Sequence, residues 1–79
     1  MIYRLLYFAS LADRAGCAEE AVESNATDAI SLYEEVRMRH GLEMKRERLR
    51  VAINGRFVDW SHGIENGDEI AFLPPVSGG

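Results

Sequence analysis

Residues 27–41 read TDAISLYEEVRMRHG and predict the longest helix of the chain. The apolar residues of this stretch recur at the i, i+3, i+4 and i+7 spacing of one helical face: Ala29, Leu32, Tyr33 and Val36. Thr27 is the expected N-cap, followed by an acidic residue where the helix dipole favours one, and Gly41 is the expected end. A helix with one apolar face has to bury that face against another layer of structure.

Five apolar segments around this helix predict strands. Two precede the helix and three follow it, at residues 2–8, 18–24, 49–53, 56–59 and 69–73. Asn54-Gly55 is a strong signal for a hairpin between the third and fourth strands. Pro74-Pro75 ends the last strand, because proline cannot donate to a sheet. Residues 9–15 predict a short helical turn that ends at Gly16.

The order of these elements predicts an α+β fold with a mixed five-stranded sheet wrapped on one main helix. That order is β, short α, β, α, β, β, β, which cannot form a βαβ array. The first and last strands are the most apolar and are expected to be the central pair, with residues 2–8 covered on both faces. This arrangement is a β-grasp, the ubiquitin-like fold, over residues 1–73, and residues 74–79 are expected to form an extended tail.

The size and charge of the chain limit its function. Its 79 residues, 47% of them hydrophobic, suffice for one small globular domain but not for a doubly wound nucleotide fold. A net charge of −4 argues against nucleic-acid binding. Cys17 is the only cysteine, and the chain has no apolar run of about 18 residues and no signal-peptide pattern. We expect a cytoplasmic protein that does not enter a membrane.

Charge is unevenly distributed along the chain. Residues 37–56 contain seven of the nine basic residues, whereas residues 57–79 contain four acidic residues and no basic one. The approach to the C-terminus is therefore expected to be acidic and to steer the chain towards a partner with a basic cleft. The alternative is that these charges only keep surfaces solvated.

The residues that usually build an active site are scattered in this sequence. Cys17, His40 and His62 lie far apart, without the spacing of metal ligands, so no metal site is expected. Cys17 has acidic neighbours that raise the pKa of its thiol and make it a poor nucleophile. No glycine-rich phosphate-binding motif occurs.

The remaining candidate is the tail, Pro74-Pro75-Val76-Ser77-Gly78-Gly79. Fully extended, it spans about 20 Å and could enter a cleft on another protein. The prolines stiffen its base, and Gly78 and Gly79 have no Cβ, so a narrow channel could admit them. Adenylation by ATP would turn the Gly79 carboxylate into an acyl-adenylate that a sulfur or nitrogen nucleophile displaces. The alternative is a frayed, inert terminus.

Two blocks of sequence carry a family resemblance. Residues 57–60 (FVDW) and 66–79 (NGDEIAFLPPVSGG) resemble the small, sulfur-carrying subunit of molybdopterin synthase (MoaD type). Three further segments are similar to it: residues 6–9, 32–41 and 51–55. The diglycine ending is shared with ubiquitin and with the sulfur carrier of thiazole synthesis, but those relatives lack the preceding Pro-Pro-Val.

The resemblance implies a carrier of sulfur. An adenylyltransferase and sulfurtransferase partner would use ATP to activate Gly79 and convert it to a thiocarboxylate, with Gly78 providing steric access. The tail would then enter the large subunit of molybdopterin synthase, in a heterotetramer of two small and two large subunits. There it would donate sulfur to cyclic pyranopterin monophosphate in molybdenum cofactor biosynthesis. This chain would bind no cofactor and contain no active site of its own.

The resemblance also implies a partner surface. Leu73 and Ala71 share one face of the last strand, and the helix can cover only the other face. By resemblance, the residues that bind the partner are Phe8, Phe57, Leu73, Pro74, Pro75, Val76 and Ser77. The alternative is that the first three close the edge of the core.

Three other functions are compatible with the residues. A ubiquitin-like modifier would link Gly79 to lysines of target proteins by the same adenylation chemistry. A sulfur carrier could serve another pathway, such as thiazole synthesis. A binding module with an inert tail would tolerate loss of Gly79.

Overall fold

The structure, a computed structural model, describes residues 1–75. Its helices and strands are β1 (Ile2–Tyr7), α1 (Ser10–Ala15), β2 (Glu19–Glu23), α2 (Ala29–His40), β3 (Arg50–Ile53), β4 (Arg56–Val58) and β5 (Glu69–Leu73). The predicted order of helices and strands is confirmed. A single 3₁₀ turn, Arg46–Arg48, precedes β3 and was not predicted.

The five strands form one mixed sheet in the order β2-β1-β5-β3-β4. β1 and β5 are parallel neighbours, with Leu5 beside Ile70, and every other pairing is antiparallel. A parallel pair needs a long crossover, which the intervening helix and strands supply. The predicted pairing of the first and last strands is therefore confirmed, and the architecture is the β-grasp.

β1 is covered on one face only, so the expectation of burial on both faces is wrong. Its side chains alternate, with Tyr3, Leu5 and Tyr7 at most 3% exposed, while Ile2 is 54% exposed. Tyr3, Leu5 and Tyr7 share one buried cluster with the apolar stripe of α2, whereas on the other side Ile2 and Arg4 are exposed and Leu6 is half-buried. The apolar run in the sequence therefore reflects one core face and one apolar surface.

Helix α2 buries the predicted stripe, because Ala29, Leu32, Tyr33 and Val36 are all 0% exposed. Its N-cap is Asp28 rather than the predicted Thr27: the Asp28 carboxylate accepts a hydrogen bond from the Ser31 N–H at 2.8 Å. Thr27 lies in the loop before the helix, where its carbonyl accepts a hydrogen bond from the Ile64 N–H at 3.0 Å. At the other end Gly41 has φ 65°, a left-handed conformation that suits glycine, as predicted.

Four aromatic rings meet in the core around Phe72, which is 0% exposed. Its ring centroid lies 5.1 Å from that of Tyr33, 6.0 Å from that of Trp60 and 6.3 Å from that of Tyr7. The buried Tyr33 hydroxyl donates to the Met44 carbonyl at 2.5 Å, so its polar end is satisfied. Because Phe72 belongs to the central strand, this cluster fixes β5 against the helix.

The β3–β4 hairpin turns at Asn54-Gly55, as predicted. Both residues have positive φ, 52° and 84°, which is the pattern of a type I′ turn. The Asn54 side chain also reaches β5: its oxygen accepts from the Glu69 N–H at 2.9 Å, and its amide donates to Asp68 at 3.0 Å. The turn is thereby tied to the start of the central strand.

Candidate functional site at the end of the central strand

The predicted tail begins at the end of β5, the central strand of the sheet. β5 pairs with β1 on one side and β3 on the other, and Leu73 is its last residue. Pro74 is half-buried and Pro75 is exposed. Residues 76–79, which include the predicted Val76, Ser77, Gly78 and Gly79, lie outside the described residues, so their roles stay predictions.

The predicted partner residues lie on the helix-free face of the sheet. Leu73 is paired with Arg50, and Ala52 is paired with both Ala71 and Phe57, which puts these side chains on one face. Phe57 is 60% exposed and lies outside the buried core. We name Phe8, Phe57 and Leu73, with their neighbours Leu6 and Ala71, the outer patch.

Phe8 joins the outer patch at the end of β1. The strand alternation, continued by one residue beyond Tyr7, puts it on the side of Leu6, and its side chain is 44% exposed. Phe8 and Phe57 therefore lie outside the buried core, and their role in binding a partner stays a prediction. Exposed aromatic side chains beside the root of a tail suit a protein-binding surface.

Ala9, next to Phe8, has a strained backbone. Its φ of 51° and ψ of −126° are those of the first central residue of a type II′ turn, a position dominated by glycine. The Leu11 N–H donates to the Phe8 carbonyl at 3.1 Å and closes this turn. Nothing in the sequence pattern indicated this conformation.

Arg50 is a surface residue that the sequence interpretation missed. It is exposed, and its guanidinium carbon lies 4.8 Å from the centre of the Phe57 ring, within the range of a cation–π contact. The same residue pairs across the strands with Leu73. A predicted hairpin and strand alternation could have placed Arg50 on this face, but only the pairing of β3 with β5 puts it beside Leu73.

Most of the acidic residues that were expected beside the C-terminal tail lie at the opposite end of β5 from the tail. Glu69 is the first residue of that strand, about 13 Å from Leu73 at 3.3 Å per residue, and Asp68 immediately precedes it. Glu65 precedes them in the same loop, whereas Asp59 follows β4 at the Leu73 end. The charged residue paired with Leu73 is Arg50, which is basic. The order of charges along the sequence therefore did not predict the charge beside the tail.

A second polar group lies on the opposite face, between β2 and the end of α2. The Tyr7 hydroxyl donates to Glu20 Oε2 at 2.5 Å, and His40 Nε2 lies 2.6 Å from the same oxygen. Burial raises the pKa of Glu20, but the hydrogen bonds from Tyr7 and His40 and the charges of His40 and Arg39 outweigh it, so the pKa lies below 4.5. These contacts attach the edge strand to the helix.

Cys17 and the two histidines do not form a catalytic group in the described part of the chain. Burial, with a smaller effect of Glu20, raises the pKa of the Cys17 thiol, so the predicted direction is confirmed although burial is the larger cause. A ring nitrogen of His62 lies 2.7 Å from the Gly63 carbonyl, on the surface. Within residues 1–75, no three His, Cys, Asp or Glu side chains are placed to hold a metal ion.

The grooves of the described surface are open. One groove of about 860 Å³ lies beside β4 and includes His62, Glu65 and Asp68, but no serine, threonine or cysteine lines it. No helix within residues 1–75 has the length and apolar character needed to cross a membrane. The site that remains is the tail root with the outer patch.

Comparison with known sequences gives consistent matches over nearly the whole chain. The model of the ThiS family matches residues 5–79. The human molybdopterin synthase sulfur carrier subunit is 34% identical over 80 residues, covering 95% of this chain and 91% of that protein. The protein of the same name from Escherichia coli K12 is 30% identical over 79 residues, covering 96% and 98%.

Comparison with solved structures agrees with the fold. SAMP1, the small archaeal modifier protein 1 of Haloferax volcanii, superposes with a TM-score of 0.83 at 25% identity, with all of both chains covered. A chain from the complex of subunits 1 and 2 of the molybdopterin-converting factor of Helicobacter pylori superposes with a TM-score of 0.71 at 24% identity, again over both whole chains.

Proposed function

The chain belongs to the ThiS family, and on that premise we propose that it is a sulfur carrier subunit of molybdopterin synthase. The observation that carries the proposal is the extent of the family match, which runs through β5 to residue 79 and so includes Gly78 and Gly79. Curated relatives at 30% and 34% identity are named sulfur carrier subunits of that enzyme. The reacting group is the carboxylate of Gly79.

Activation consumes ATP on a partner adenylyltransferase. A carboxylate oxygen of Gly79 attacks the α-phosphorus of ATP, which forms an acyl-adenylate and releases pyrophosphate. A sulfur nucleophile at the oxidation level of sulfide, held by a sulfurtransferase, then attacks the acyl carbon. The C–O bond to AMP breaks, AMP leaves with that oxygen, and Gly79 becomes a thiocarboxylate.

Sulfur donation takes place in the large subunit. The thiocarboxylate sulfur attacks a carbon of cyclic pyranopterin monophosphate and replaces an oxygen substituent there, whose C–O bond breaks. Water then attacks the acyl carbon, the acyl C–S bond breaks, the sulfur stays on the pterin, and the Gly79 carboxylate is restored. Two such donations build a dithiolene. The strand anchored by Phe72 holds the tail root, and about 20 Å of extended chain can reach from Pro74 into a cleft.

The outer patch is the proposed contact with the large subunit. Phe8 and Phe57 are exposed aromatic side chains, the residue type that dominates many protein interfaces. Leu73 connects this surface directly to the tail. The Helicobacter pylori neighbour was solved as a complex of two subunits of the molybdopterin-converting factor, which supports such a partner. We propose an assembly of two small and two large subunits in the cytoplasm.

The test is the intact mass of the protein from cells that contain the whole pathway. The wild type should gain the mass of one sulfur-for-oxygen exchange, located on Gly79. Deletion of Gly79, or one alanine added after it, should abolish both the mass change and the activity of molybdenum enzymes, because the carboxylate is then misplaced by about 3.5 Å. Full molybdenum-enzyme activity after deletion of Gly79 would refute the proposal. A requirement for thiazole in that strain would indicate a carrier for thiazole synthesis instead.

A second candidate is a protein modifier. The superposition on the small archaeal modifier protein, with a TM-score of 0.83 over both whole chains, favours it. A modifier would form covalent conjugates between Gly79 and lysines of other proteins. A ladder of conjugates that disappears when Gly79 is deleted, without loss of molybdenum-enzyme activity, would establish this function in place of sulfur donation.

A further inference from the structure

Arg50 has a defined position at the root of the tail. It pairs across the strands with Leu73, the last residue of β5. Its guanidinium rests over the ring of Phe57, 4.8 Å from the ring centre. A planar cation on an aromatic face is restricted before any partner arrives, so a partner that binds it loses less side-chain entropy.

No carboxylate within residues 1–75 neutralises Arg50. The ion pairs of this part of the chain involve five other arginines: Arg4, Arg14, Arg37, Arg39 and Arg46. Asp59, which follows β4 at the same end of the sheet, is not within 4.0 Å of the guanidinium. The charge of Arg50 is therefore available to another molecule on the exposed surface.

Docking of the outer patch would remove water from this charge. A partner that covers Phe57 and Leu73 also covers the guanidinium that lies on Phe57. An unpaired charge inside an interface is strongly unfavourable, whereas a charge paired with a carboxylate is compatible with burial. A purely apolar socket would thus reject this surface, and a socket with a carboxylate at its rim would accept it.

We propose that Arg50 is a specificity residue that pairs with a carboxylate of the large synthase subunit, at the rim of the apolar socket that receives Phe57 and Leu73. The inference rests on the proposed function, since it takes the large subunit as the partner. Arg50 acts in binding and touches no reacting atom. Its effect is therefore on the affinity of the two subunits and not on the rate of sulfur transfer within their complex.

The test measures the affinity of the full chain for the large subunit by calorimetry, with Arg50→Leu and Arg50→Glu variants. We expect Arg50→Leu to weaken binding about tenfold or more and Arg50→Glu to weaken it further, because like charges then face each other. Arg56→Glu is the matched control: this exposed arginine lies in the same hairpin, with its side chain on the other face of the sheet, and the change in net charge is the same. It should leave the affinity within about threefold.

Sulfur transfer by thiocarboxylated protein gives a second measurement. Arg50→Leu should raise the KM for the carrier and leave kcat unchanged, and a glutamate-to-lysine change at the matching position of the large subunit should restore binding to Arg50→Glu. Wild-type affinity of Arg50→Leu would overturn the inference and leave the proposed function intact. If the wild type does not bind the large subunit at all, the proposed function fails, and the inference fails with it.

Discussion

The ring of Trp60 stacks on the ring of Phe72, with the ring centres 6.0 Å apart and the planes 9° from parallel. Phe72 is the second-last residue of β5 and is completely buried, whereas Trp60 lies in the loop after β4 and is half-buried. The contact links a loop to the strand from which the tail leaves. A substitution at Phe72 therefore tests how firmly the core holds β5, the strand from which the tail leaves.

Phe72→Ala should lower the free energy of unfolding by about 3–5 kcal/mol, because it leaves a cavity among the rings of Tyr33, Trp60 and Tyr7. Phe57→Ala removes the same ring from a site that is 60% exposed and should cost less than about 1 kcal/mol. Urea unfolding followed by Trp60 fluorescence measures both. Equal losses for the two variants would show that Phe72 does not anchor the core.

The carboxylate of Glu20 should make stability depend on acid pH. Its pKa is lower in the folded protein than its ordinary value of 4.5, so the folded state binds fewer protons. The contribution is therefore complete above pH 4.5 and is lost as the pH falls through the folded pKa. Glu20→Gln should destabilise the protein at neutral pH by about 1 kcal/mol.

Unfolding curves of Glu20→Gln and the wild type, recorded from neutral pH to below pH 4.5, test this assignment. The difference between the two proteins should shrink as the solution becomes more acidic. Glu43→Gln is a control, because the side chain of Glu43 is 83% exposed. A Glu20→Gln difference that does not change with pH would contradict the assignment.

Replacement of Ala9 by glycine should stabilise the protein. The positive φ of Ala9 costs about 1–3 kcal/mol, and glycine removes that cost at an entropic penalty of about 0.5–1 kcal/mol, for a net gain of about 1 kcal/mol. Ala12→Gly, the same change inside α1, should instead lose about 0.5–1 kcal/mol. Thermal unfolding distinguishes the two. If both variants lose stability equally, the type II′ turn at Ala9 is not present in solution.

Asn54 should stabilise the hairpin both through its side-chain hydrogen bonds and through its positive φ. Asn54→Ala loses its hydrogen bonds to Glu69 of β5 and to Asp68 just before that strand, and it strains a positive φ, for a cost of about 2–3 kcal/mol. Asn54→Gly loses the same bonds but keeps the φ and should cost about 1 kcal/mol. Asn25→Ala, at an exposed position outside helices and strands, should stay within about 0.5 kcal/mol. Denaturant midpoints rank the three variants, and equal effects of alanine and glycine at Asn54 would exclude the contribution of φ.

Features that depend on neighbouring residues were predictable from the sequence. The apolar stripe of α2, its end at Gly41 and the turn at Asn54-Gly55 all follow from spacing or from the backbone freedom of single residues. The bounds of β5 were also predicted, because Pro74-Pro75 stops the strand. The central pairing of β1 with β5 followed from their apolar character.

Errors occurred where a residue distant in sequence determines the outcome. Thr27 is a good N-cap residue, but its carbonyl pairs with Ile64, and Asp28 takes the cap. The apolar run of β1 did not reveal that one of its faces is surface. The strain at Ala9 had no sequence signal at all, because only closure of the turn between β1 and α1 requires it.

The amino-acid sequence alone predicted the main helix and the order of the strands, and it carried the family resemblance that points to Gly79. Periodicity, turn residues and an ending motif are local properties, so they can be recognised without the tertiary structure. The tertiary structure alone placed Arg50 beside Leu73 and over Phe57, and moved Asp68 and Glu69 to the far end of β5. The physical reason is register: β3 runs antiparallel to β5, so the charge next to the tail comes from a residue 23 positions earlier in the chain. A count of charges along the sequence contains no information about such pairing.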